Sequence, residues 1–196
     1  ISYNLSLAYA SLNKKVLLIG ADLRNPQIHN YLKIDKNQKG LVNFLVDNTV
    51  KWEDFLIKTS GKIPTHDTLI SGYLPPNPIA LINNGNLQIL INQAKKKYDY
   101  IFIDTSPTLL VSDTLEMSDL SDAVVYLSRA NVTDKRILDF FSNLIVNKKL
   151  KNVGLVLNGI GKNDSYGYSY KYGYKYGYKY GYSYNYGYGY GYSEDE

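Results

Sequence analysis

The chain has 196 residues, with 22 Lys and Arg against 18 Asp and Glu, 21 tyrosines and no cysteine. Its net charge of +4, with both signs mixed along the chain, is too weak for the basic stripe of a nucleic-acid binder. The missing cysteines exclude a disulfide framework and a thiolate metal site. No apolar run approaches the ~20 residues of a membrane-spanning helix, and no signal-peptide pattern opens the chain.

In chain order, helical spacing over residues 2–12 precedes the apolar run "VLLIGAD" (residues 16–22). "KGLVNFL" (39–45) reads as a loop-and-helix connector, and the single Trp52 as the anchor of a small helix. "TLISG" (68–72) is a short strand candidate. "SGYLPPNP" (71–78) is a turn whose prolines forbid a helix before about Asn77. A helix is expected over residues 77–97, ending in lysines that suit a helix C-terminus. Strands follow at "YIFID" (100–104) and "AVVYLS" (123–128). A helix over 133–149 is capped by Thr133 or Asp134, and "VGLVLN" (153–158) is the last strand. Continuous Val, Ile and Leu runs are the mark of strands buried on both faces. Their alternation with helices implies βαβ units and one parallel sheet flanked by helices, an α/β fold. His29 and His66 lie far apart and read as solvated or hydrogen-bonded surface residues rather than a metal site. Aliphatic residues nearly vanish after residue 161. The expected organisation is therefore a folded domain over residues 1–161 and a low-complexity tail over 162–196.

Open α/β sheets bind ligands beyond the carboxyl ends of their strands. There the chain places Asp22 and Arg24 ("GADLRNP"), Asp104 ("IDTSP") and Asn158 ("LNG"). A carboxylate closing an apolar strand is the Walker B arrangement, which holds a metal ion beside nucleotide phosphates. Taken alone it is also a common strand exit that caps the next helix.

"KKVLLIGADLRNP", "GLVNFL", "LISGYLPPNP", "YDYIFIDTSP" and "VGLVLNG" occur in the order found in bacterial tyrosine kinases, and residues 1–161 resemble that family. The resemblance implies a deviant P-loop NTPase fold of the ParA/MinD kind, with ATP and Mg²⁺ as cofactors. Asp22 and Arg24 match the Walker A′ motif, where carboxylates organise Mg²⁺ and accept the proton of the attacking hydroxyl. Asp104 matches the Walker B carboxylate that holds Mg²⁺, and Asn158 stands where relatives contact adenine. Two departures accompany the match. Gly20 occupies the position of the other Walker A′ aspartate, and no G-x-x-x-x-G-K-[ST] phosphate loop occurs. In the family that loop and a central strand lie immediately before the first helix. The expected chain therefore starts just downstream of both, and a shortened chain of this kind would bind ATP poorly.

The tail places a tyrosine at every second position: Tyr166, Tyr168, Tyr170, Tyr172, Tyr174, Tyr176, Tyr178, Tyr180, Tyr182, Tyr184, Tyr186, Tyr188, Tyr190 and Tyr192. Period two is a strand pattern, but no aliphatic sequence remains to cover a tyrosine face and glycine is costly in strands. The tail reads as disordered. The resemblance makes these tyrosines the phosphoacceptors of the protein's own kinase, acting in trans within a homo-oligomer. It implies a tyrosine phosphatase and the polysaccharide export machinery as partners. It also implies a place on the cytoplasmic side of the bacterial inner membrane, held there by segments outside this chain. A second reading is a non-catalytic nucleotide switch, to which Gly20 points, whose tail only docks partners. A ParA/MinD-type ATPase comes third, disfavoured by "SGYLPPNP" and the tyrosine cluster.

Overall fold

The computed structural model describes residues 1–58, 65–106, 117–150 and 152–160. Strand β1 (Val16–Gly20) is buried at all five positions. It pairs in parallel with β3 (His66–Leu69) on one side and β4 (Tyr100–Asp104) on the other. The short β2 (Ile57–Lys58) joins β3 antiparallel, giving the order β2-β3-β1-β4. Successive side chains of a strand point to opposite faces. Leu17 and Ile19 accordingly pack with Leu69, Ile101 and Ile103, whereas Leu18 packs with Ile28, Ile70 and Phe102. Both faces are covered, which is why the run is apolar at every position.

Helix α1 (Ser2–Ala10) and α2 (Ile28–Leu32) supply Tyr3 and Leu32 to the Leu18 face. Tyr9 lies edge-on to Tyr100 and Phe102, with ring centroids 4.6 and 5.4 Å apart. On the opposite face lie α3 (Leu41–Val46), α4 (Pro78–Ile82) and α5 (Asn86–Ala94). The buried residues of α5 are Leu87, Leu90, Ile91 and Ala94, one apolar stripe at helical spacing. Trp52 opens a 3₁₀ turn (Trp52–Phe55) and is fully buried, its Nε1 donating to Gln93 Oε1 at 2.8 Å. Asp134 caps α6 (Lys135–Val146) by accepting the Arg136 N–H.

The structure departs from the sequence expectations in four places. The helix expected over 77–97 is two helices. Asn77 caps α4 by accepting the Ala80 N–H, Gly85 adopts φ +86°, and the Asn84 side chain accepts the Asn86 N–H while donating to the Leu45 carbonyl, so a turn interrupts the helix between Ile82 and Asn86. The strand expected at 68–72 is displaced to His66–Leu69. Beyond Leu69 the carbonyls of Ile70 and Ser71 are taken by the N–H groups of Leu41 and Val42 (2.7 and 2.9 Å), which ends the ladder. His66 is fully buried rather than at the surface. Its Nε2 lies 2.8 Å from Ser6 Oγ, a hydroxyl also within hydrogen-bonding reach of the Tyr3 carbonyl, so a polar partner meets the buried ring. Finally, β5 (Val124–Arg129) and β6 (Val153–Asn158) pair in parallel with each other, and among the described residues with no other strand. Helix α6 covers this second sheet through Phe141 and Leu144, with Tyr126 stacked on Phe141 at 3.9 Å. The apolar runs of β5 and β6 predict burial on both faces, but β5 is exposed at three of its six positions and β6 at five of six, so an apolar run announces a strand without settling its neighbour or its cover. None of the helices among the described residues is long and apolar enough to cross a membrane.

Two outcomes follow from this packing. A Cβ on Gly40 would lie 2.2 Å from the Ile70 carbonyl oxygen, whereas one on Gly154 meets nothing within 4 Å. In chemical denaturation Gly40→Ala costs about 2–3 kcal/mol, while Gly154→Ala stays within about 0.5 kcal/mol. The second outcome concerns His66, whose pKa is lowered by burial, opposed by the charge of Asp67. The unfolded chain takes up a proton at higher pH than the folded one. Stability is therefore full above the ordinary histidine pKa and is lost as pH falls below it. Thermal unfolding between pH 7.5 and 5.5 shows a decline that His66→Gln flattens.

Candidate functional site

The parallel register of β1 and β4 sets Gly20 opposite Asp104, and the Ala21 N–H donates to the Asp104 carbonyl at 2.8 Å. Both strands thus end at the same edge. Two residues past β1 the chain reverses around Asp22, whose Oδ1 accepts the backbone N–H groups of Arg24 (3.1 Å) and Asn25 (3.0 Å). Aspartate suits this turn because its short side chain reaches its own backbone two residues on. Ser106, buried just beyond β4, donates its hydroxyl to the same Oδ1 at 2.6 Å. Ser2, the first residue of α1, donates to Asp104 Oδ1 at 2.6 Å.

Burial pushes the Asp104 carboxyl above its ordinary pKa. The Ser2 hydroxyl opposes this shift and the negative charge of Asp22 adds to it. A buried carboxylate beside a second negative charge forms a site that a cation relieves. Among the described residues no three His, Cys, Asp or Glu side chains converge on one point. Magnesium needs only one or two carboxylates when nucleotide phosphates complete its shell, so Asp22 and Asp104, each held by a serine hydroxyl, fit that ion.

The structure therefore brings Asp22 and Asp104 together, with Arg24 on the same turn. Arg24 is exposed, and its backbone N–H rather than its side chain is what binds Asp22. Asn158 stands apart, exposed at the end of β6 and paired with Arg129, with no contact to either aspartate among the described residues. At Gly20 an added Cβ would come within 3.2 Å of the Ser71 backbone nitrogen and 3.3 Å of Ile28 Cδ1, so the place of a second Walker A′ carboxylate is tightly walled. The tail tyrosines Tyr166 to Tyr192 lie outside the described residues. Sequence reasoning missed Ser2 and Ser106 as site residues. Ser106 was within view in "IDTSP", two positions after Asp104. Ser2 carries no local signal, since its partner is 102 residues away.

Comparison with known proteins places this geometry in a family. A family model described as an AAA domain matches residues 1–151. Tyrosine-protein kinase YwqD of Bacillus subtilis is 31% identical over 167 residues, covering 84% of this chain and 69% of that protein. The solved VpsO kinase domain superposes with a TM-score of 0.74 at 29% identity, over 82% of this chain and 77% of that one. The Pyrococcus horikoshii septum site-determining protein MinD, solved with Mg-ADP, shares the fold at 20% identity with a TM-score of 0.63. On this evidence the chain belongs to the bacterial tyrosine-kinase family, built on a P-loop NTPase fold.

Proposed function

We propose that the complete protein is an ATP-dependent protein-tyrosine kinase that phosphorylates its own C-terminal tyrosines. The observation that carries this reading is the β1–β4 register, which sets Asp22 and Asp104 at one strand edge in a chain ending in alternate tyrosines. Asp104 holds Mg²⁺, directly or through water, and Asp22 shares it or takes the proton from the attacking tyrosine hydroxyl. Mg²⁺ chelated by the ATP phosphates supplies the charge that neutralises the transferring phosphoryl group. Arg24 faces the same phosphates from the turn after β1. Asn158 contributes to the adenine site.

The acceptors are Tyr166 to Tyr192 of a neighbouring copy. About 35 residues span ~30 Å as a flexible coil and up to ~115 Å extended, enough to reach a second subunit. Each phosphotyrosine adds about −1.5 to −2 charges, so a fully modified tail carries roughly −21 to −28. Alternate residues of an extended chain lie ~6.6 Å apart, inside the ~8 Å Debye length at physiological salt. Phosphorylation thus stiffens the tail and drives subunits apart, and a tyrosine phosphatase reverses it. In this reading the kinase regulates capsule or exopolysaccharide synthesis and export from the cytoplasmic face of the bacterial inner membrane.

Gly20 favours a second reading, a nucleotide switch without transfer. Mass spectrometry of the complete protein separates the two. Under the kinase reading phosphotyrosine accumulates on the tail and falls by about 100-fold or more in Asp104→Asn. An unphosphorylated tail in a protein that still binds nucleotide would favour the switch. Light scattering checks the charge argument: the phosphorylated form is the smaller assembly, and equal masses before and after phosphatase treatment contradict it.

A further inference from the structure

The proposed chemistry accounts for Asp22 and Asp104 but leaves unexplained what holds Asp22 in place. Asp22 sits on a surface turn, and its two backbone hydrogen bonds come from that same turn. Such local bonds shape the turn without relating it to the rest of the site. Ser106 differs in kind. It is 6% exposed, it follows the strand that carries Asp104, and its hydroxyl crosses to Asp22 Oδ1 at 2.6 Å over a separation of 84 residues. All three donors converge on Oδ1, and among the described residues no hydrogen bond reaches Oδ2. One carboxylate oxygen is thus anchored by three donors. Gly20 adds weight to this arrangement, because it contributes no second carboxylate to share the work.

We propose that Ser106 is a positioning residue for phosphoryl transfer: its hydroxyl ties Asp22 to the end of β4 and sets the spacing between the two carboxylates. This inference rests on the kinase reading of the same site. In this role Ser106 acts through Asp22 rather than on the substrate itself. A carboxylate free to rotate about its side-chain torsions meets the substrate hydroxyl in the productive pose less often, and small misplacements of catalytic groups are costly. The ground-state affinity for ATP, set mainly by groups that hold the phosphates and base, changes little.

The test uses the complete protein, with tail phosphorylation and the affinity for Mn²⁺ in the presence of ADP, read by electron paramagnetic resonance. Ser106→Ala lowers kcat about 10-fold while KM for ATP stays within about twofold. The same variant weakens Mn²⁺ binding several-fold, and Ser106→Thr, which keeps the hydroxyl, restores both. Ser106→Cys preserves side-chain volume but offers only a weak donor. It keeps the melting temperature and shows the kinetic defect, which separates the hydrogen bond from packing should the alanine variant fold badly. Unchanged kcat and Mn²⁺ affinity in both Ser106→Ala and Ser106→Cys overturn the proposal, as does a Ser106→Thr enzyme no better than Ser106→Ala. Asp22→Asn and Asp104→Asn run alongside. Full tail phosphorylation in those variants would overturn the assignment of the reaction to this site, and an unphosphorylated tail in the unsubstituted protein would overturn the kinase reading itself. Loss of phosphorylation in the two aspartate variants, with Ser106→Ala unaffected, overturns only the role of Ser106.

Discussion

The parallel ladder between β1 and β4 is the constraint on which the site depends. Its register sets Gly20 against Asp104, so both strands terminate at one edge and both following loops begin there. A slip of one residue would turn every side chain of a strand to the other face. Leu17 and Ile19 would then exchange places with Leu18 between two packed layers, α3, α4 and α5 on one side and α1 and α2 on the other. The cost of repacking both layers holds the register, and the register holds the carboxylates together.

This arrangement sets charge against burial. Asp104 is raised in pKa by its surroundings and by Asp22, which is unfavourable for the ionised fold taken alone. The Ser2 hydroxyl offsets part of that cost by donating to Asp104, and the Ser106 hydroxyl donates to Asp22. They also connect three segments distant in sequence: the start of α1, the turn after β1 and the loop after β4. A site that gathers two carboxylates, each held by a hydroxyl, is well suited to a ligand that brings positive charge with its phosphates. The second sheet contributes differently. Its β5–β6 ladder and α6 form a separate apolar cluster, and Asn158 ends that ladder without touching the aspartates among the described residues.

Much of the fold was legible because strand-forming apolar runs stand out in composition. β4 and β6 have the bounds that their apolar runs predict, β1 ends two residues early and β5 is shifted by one residue. Where the reading failed, a polar detail or a distant partner decided the outcome. Asn84 and Gly85 break the long helix because the Leu45 carbonyl lies within reach of Asn84. β3 stops early because α3 claims the next two carbonyls. His66 is buried because Ser6, on another element, satisfies its ring.

The sequence by itself determined which segments form strands, where strands end in carboxylates, and that the chain carries alternating tyrosines towards its end. These are local properties, written in periodicity and residue type. Only the tertiary structure decided that Asp22 and Asp104 share an edge, that Asn158 does not join them, and that Ser2 and Ser106 brace the pair. It also decided that Gly20 is closely walled by Ile28 and the Ser71 backbone. Those facts depend on strand pairing and on contacts across 84 and 102 residues. Such contacts are set by how two packed layers accommodate one register, and no window of sequence contains them.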